Sequence, residues 1–111
     1  MFRPLPTLAL VLAAVPAAVL AAPAPPPATV IAIESFQFTP EAVVIPKGSR
    51  VTFLNKDAAP HTATPEEDGA KFAGTGRLLA GESKTLTFPD KGVYNYFCEF
   101  HTTMKGRVTV R

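Results

Sequence analysis

After Ala28 the chain never sustains a helical period. Apolar residues alternate with polar ones in short runs, and each run stops at Pro, Gly or a charged turn. Period-two alternation buries one face of a strand, and breakers at this spacing leave no room for long elements. The pattern predicts an all-β fold, an antiparallel sandwich or small barrel of about seven or eight strands. Val30 to Glu34 reads as a strand with Ile31 and Ile33 on one face. Phe36 and Phe38 resume the alternation in the opposite phase, which predicts a bulge or bend at Glu34-Ser35. Further strands are expected at Ala42 to Ile45, Arg50 to Asn55, Lys84 to Phe88, Val93 to Cys98 and Lys105 to Val110, with a brief one at Arg77 to Leu79. Pro65 to Gly76 is polar and Gly-rich and reads as loop with at most one helical turn.

The N-terminus has a different composition. Arg3 precedes an Ala/Leu/Val run from Leu8 to Leu20, broken by Pro16, and small residues follow around Ala22-Pro23-Ala24. This is the build of a secretory signal peptide, expected over residues 1–24 with the cut between Ala21 and Ala24. The run is short for a membrane span of roughly 20 residues. Residues 25–28 form a proline-rich lead-in, and residues 29–111 one small domain. A domain of this size buries a modest core and gains from a staple. The single cysteine excludes an intrachain disulfide, so a metal is the more plausible staple. With 11 basic and 9 acidic side chains, mostly scattered, the chain has no basic face for nucleic acid. Glu66-Glu67-Asp68 could steer a cationic partner or simply solvate a loop, and the second is the preferred reading.

The metal-capable residues cluster. Cys98, His101 and Met104 lie three residues apart after the end of a strand, and His61 is the remaining histidine. One thiolate, two imidazoles and one thioether form the donor set of a mononuclear copper electron-transfer site, with methionine as the weak, long ligand. A fold that brings His61 to the 98–104 loop would fix the donor spacing. Each residue also has a plain role: a buried inert thiol for Cys98, surface histidines, core filling for Met104. Structural zinc is a poorer match because methionine is a poor zinc ligand. A Cys-His nucleophile lacks an orienting acid. Asn55 falls on the inward face of its strand beside Val51 and Phe53, as a buried amide needing partners or as a turn opener.

These residues resemble those of the small blue copper proteins, the cupredoxins of plastocyanin/amicyanin type. The resemblance is carried by Cys98-x-x-His101-x-x-Met104, by Gly92 to Phe97 before it and Lys105 to Val110 after it, and by Val51 to Asn55 followed by Pro60-His61. The loop spacing is closest to amicyanin. The resemblance implies a Greek-key β-sandwich over the whole mature chain and one copper ion held by His61, Cys98, His101 and Met104. It implies that Asn55 ties its strand to the ligand loop and supports the thiolate. It also implies that electrons pass through the edge of His101, within an apolar patch to which Pro60, Phe100, Ala58, Ala59 and Thr103 are candidate contributors. Glu99, Phe100, Thr102 and Thr103 stand where such loops often carry proline, so more backbone N–H groups are available near the sulfur.

The function so implied is that of an exported, periplasmic, monomeric type 1 copper protein. It would carry single electrons between transient donor and acceptor proteins and transform no substrate itself, so it would not be an enzyme. A copper chaperone or storage domain on the same fold is the alternative. A metal-free β-sandwich binding or structural module is the third reading.

Overall fold

The computed structural model describes residues 2–14, 24, 26–67 and 71–111. Most of the expected cleavage stretch and Asp68 of the acidic trio lie outside the described residues. Residues 2–14 carry no helix or strand. No helix among the described residues is long and apolar enough to cross a membrane.

Among the described residues, eight strands follow in order: β1 Thr29–Glu34, β2 Gln37–Thr39, β3 Ala42–Ile45, β4 Ser49–Asn55, β5 Thr64–Pro65, β6 Ser83–Phe88, β7 Gly92–Phe97 and β8 Lys105–Val110. They form two four-stranded sheets, ordered β2-β1-β4-β6 and β3-β8-β7-β5. The chain changes sheet at each connection from β2 through to β7, the crossed connectivity of a Greek-key sandwich. This crossing adds parallel pairs to the expected antiparallel sandwich: β1 pairs parallel with β4 and β3 with β8. Returning strands enter from the same end as their neighbours, which a hairpin cannot do. Arg77 to Leu79 makes no strand; Leu78 forms one isolated antiparallel bridge with His61.

Alternation decides which faces meet. Val51, Phe53 and Asn55 of β4 are buried, as are Val108 and Val110 of β8 and Ile31 and Ile33 of β1. Tyr96 lies between them, edge-on to Phe38 at 4.8 Å and Phe53 at 5.3 Å between ring centroids. Its cross-strand partner is Gly106. A Cβ on that residue would overlap the Tyr96 ring, so glycine is required there by space. The Tyr96 hydroxyl is buried with no hydrogen-bond partner among the described residues. Burial, with Glu41 adding to it, pushes this phenol above its usual range and keeps it neutral. Tyr96→Phe is therefore expected to stay within about 1 kcal/mol of wild-type stability, because it removes a desolvated hydroxyl and keeps the ring. Chemical denaturation of the two proteins checks this.

The bend expected at Glu34-Ser35 is a full reversal. Glu34 pairs with Gln37, leaving Ser35 and Phe36 as a two-residue hairpin loop. Both have positive φ, 54° and 55°. Tight hairpins demand such values, and non-glycine residues resist them by roughly 1–2 kcal/mol each. The opposite phase of Phe36 is thus a turn effect and not a bulge within one strand. This turn, the end of β4 and the end of β7 come together at one pole of the sandwich.

Candidate metal centre

Cys98 directly follows β7, and the loop after it is pinched by its own backbone. The Cys98 N–H donates to the Met104 carbonyl at 3.1 Å, and the Met104 N–H to the His101 carbonyl at 2.9 Å. The loop therefore curls back on itself between β7 and β8. His61 comes from the other side and is held by its paired backbone bonds to Leu78, at 3.0 and 2.8 Å.

The donor atoms converge. Cys98 Sγ lies 3.6 Å from His61 Nδ1 and 3.8 Å from His101 Nδ1. The three ligand atoms all fall within 4.8 Å of one another. A metal bonded to imidazole at about 2.0 Å and thiolate at about 2.3 Å, with trigonal angles, needs nitrogen and sulfur roughly 3.7–3.8 Å apart. The side chains already have that spacing. Cys98 and His61 are fully buried, while His101 is partly exposed. Met104 is buried in the core, and its backbone is bonded to those of Cys98 and His101. A soft sulfur with two imidazoles fits copper better than a hard cation. The Thr62 N–H approaches Cys98 Sγ at 3.5 Å, a backbone donor of the kind that tunes a thiolate.

Asn55 is fully buried and makes three side-chain bonds. Its Nδ2 donates to the carbonyls of Ala59 and Leu78, both at 2.9 Å, and its Oδ1 accepts the Asp57 N–H at 2.9 Å. These bonds brace the segment leading into His61 and its bridge partner Leu78; none goes to residues 98–104. The link to that loop is made by Thr62, whose hydroxyl accepts the Glu99 N–H at 2.9 Å.

Sequence reasoning missed three residues here. Thr62 is one. Asp57 is another: its Oδ2 lies 2.8 Å from His61 Nε2. Burial opposes the charge on Asp57, but the amides of Phe36 and Ser35 and the His61 ring outweigh it and hold the carboxyl below its usual range. The third is Phe36, whose ring stands edge-on to both His61 and His101. The i, i+4 placement of an acid before His61 and the out-of-phase aromatic were the available signals. Of the residues expected at an apolar patch, Phe100 is half exposed, Ala58 and Thr103 are exposed, and Ala59 and Pro60 are partly buried; Phe36, edge-on to His101, is also half exposed. Of the acidic trio, Glu66 pairs with Lys105 at 3.5 Å, so its charge is partly answered within the chain.

The model of the copper binding proteins of the plastocyanin/azurin family matches residues 27–111. Plastocyanin of Scenedesmus fuscus is 34% identical over 84 residues, covering 67% of this chain and 86% of the relative. Amicyanin of Paracoccus versutus is 31% identical over 94 residues, covering 83% and 71%. Among solved structures, a Cu(I) amicyanin variant superposes with a TM-score of 0.69 at 26% identity, covering 76% of this chain and 82% of that one. A copper-containing nitrite reductase from Thermus scotoductus superposes at 0.73 with 28% identity, over 79% of this chain but only 23% of the reductase. Family match, relatives, sandwich and donor triangle agree: the chain belongs to the plastocyanin/azurin family of copper-binding proteins, the cupredoxins.

Proposed function

We propose that this chain is an exported type 1 copper protein that carries single electrons between separate donor and acceptor proteins in the periplasm. One observation carries the reading: a buried cysteine sulfur faces two imidazole nitrogens at 3.6 and 3.8 Å. His61, Cys98 and His101 hold one copper ion, and Met104 serves as its weak fourth ligand. Bound copper supplies a one-electron couple between Cu(II) and Cu(I). The protein's own part is rigidity. His61 is fixed by its bridge to Leu78, and the 98–104 loop by its internal bonds, so the donors need not rearrange when charge changes. Asn55 steadies the His61 side from beneath. The partly exposed ring of His101, with Phe36 edge-on to it and Phe100 and Pro60 as further members of the patch, is the route by which electrons enter and leave.

A carrier must release its partners quickly, which favours a small interface. Residues 1–24 serve as the export signal, and the mature protein is a monomer that transforms no substrate. The nitrite reductase likeness covers less than a quarter of that longer chain, so it supports a shared copper-binding domain and not a shared reaction.

Titration of the mature protein with Cu(II) tests the reading. One equivalent is expected to give an intense blue thiolate-to-copper absorption and a reversible one-electron wave in voltammetry. A colourless complex that hands its copper to an acceptor would support a chaperone in its place. Failure to bind copper specifically would overturn the copper assignment altogether.

A further inference from the structure

The Asp57 carboxylate reaches two backbone N–H groups and an imidazole nitrogen on two different parts of the fold. Oδ1 accepts from Ser35 N–H at 2.8 Å, and Oδ2 accepts from Phe36 N–H at 3.0 Å. The same Oδ2 faces His61 Nε2 at 2.8 Å. The first two contacts cap a turn whose left-handed residues, Ser35 and Phe36, are poorly suited to it. The third faces the ring nitrogen remote from Cys98. That turn carries the Phe36 ring, which returns to the site edge-on, 5.3 Å from the His61 ring and 4.8 Å from the His101 ring. The contacts close a circuit: His61 imidazole, Asp57 carboxylate, turn backbone, Phe36 ring, and both imidazoles.

We propose that Asp57 is a positioning residue for both histidines, fixing His61 with its proton on Nε2 and Nδ1 free, while clamping Phe36 as an aromatic cover over His61 and His101. The chemistry selects a carboxylate. Three N–H groups need acceptors, and both oxygens are used; an asparagine at 57 would turn an N–H donor toward at least one of them. A proton on Nε2 leaves the Nδ1 lone pair toward the sulfur, as a metal-binding imidazole requires. The proposal rests on the copper reading above only in calling that lone pair a ligand; the clamp and the tautomer are properties of the metal-free chain.

Metal-free protein, wild type and Asp57→Asn, is the material for the test. Nitrogen-15 NMR of the imidazoles reports the His61 tautomer, and amide hydrogen exchange reports the turn. Wild type is expected to hold the Nε2–H form. In Asp57→Asn the Ser35 and Phe36 amides should exchange about tenfold faster or more, the size expected for losing charge-assisted bonds. His61 should gain the Nδ1–H form, while exchange at Phe53 and Val108 stays at wild-type rates. Asp57→Glu, which keeps the carboxylate, should restore the tautomer at least in part. An Nδ1–H form already dominant in the wild type would overturn the proposal, even if the variant failed to fold. Unchanged exchange or an unchanged tautomer in Asp57→Asn would overturn it as well. These readings involve no copper, so they fail independently of the copper titration.

Discussion

Cys98→Ser is expected to abolish the blue absorption and to weaken copper binding by more than the roughly 10–100-fold that loss of an outer hydrogen-bond partner costs. The sulfur sits fully buried at the apex of the donor triangle, and it is the only thiolate the chain can offer. A serine oxygen is a hard donor, protonated at neutral pH, with a shorter bond to carbon. It leaves His61 and His101 as two imidazoles without the charge that makes the site selective for copper over other divalent ions. The metal-free fold should survive. Serine is nearly isosteric with cysteine, and the Thr62 N–H that approaches the sulfur gives the new hydroxyl an acceptor role. Circular dichroism of the metal-free variant, read beside its copper titration, separates loss of the site from loss of the fold. Retention of the intense band in folded Cys98→Ser would refute the assigned site.

Much of this architecture was legible in local pattern. Alternation placed the main strands because a half-buried strand needs a period of two, and β4 and β8 bury the residues that alternation selected. The candidate ligands stood out because Cys, His and Met are rare here and three of them share a loop. What stayed hidden depends on contacts between distant residues. The Ser35-Phe36 turn carries no Gly or Asn to announce it; its amides are capped by Asp57, 22 and 21 residues further on. Parallel pairing of β1 with β4 and β3 with β8 follows from how the chain crosses between sheets, which no single run encodes. Phe72 joins the core from within a polar loop, stacked on Phe88 at 5.2 Å. Asn55 could be placed as a buried amide, but its partners could not: they lie on the His61 segment, and Thr62 takes the connection to the cysteine loop.

Those partners make Asn55 a costly polar residue to lose. In the metal-free protein, Asn55→Leu is expected to destabilise the fold by about 2–4 kcal/mol, since each buried donor or acceptor left unsatisfied costs roughly 1–3 kcal/mol. The Leu78 carbonyl would keep the His61 N–H as a partner, so the loss falls chiefly on the Ala59 carbonyl and the Asp57 N–H. Leucine keeps the branching and the heavy-atom count and avoids the cavity that alanine would leave, while its bulkier methyls add some overpacking to the loss. For a domain of this size the change lowers the melting temperature by about 10–25 °C. Measuring without metal matters, because a ligand that binds only the folded state would mask the loss. The damage should also be directional. Asn55 holds the Asp57 N–H, and Asp57 holds both the Phe36 turn and His61, so Asn55→Leu and Asp57→Ala should be less than additive in a double-mutant cycle. Additive losses would mean that the two act separately on the fold. A wild-type melting temperature in Asn55→Leu would mean that the His61 segment holds its place without the amide, and the bracing account would fail.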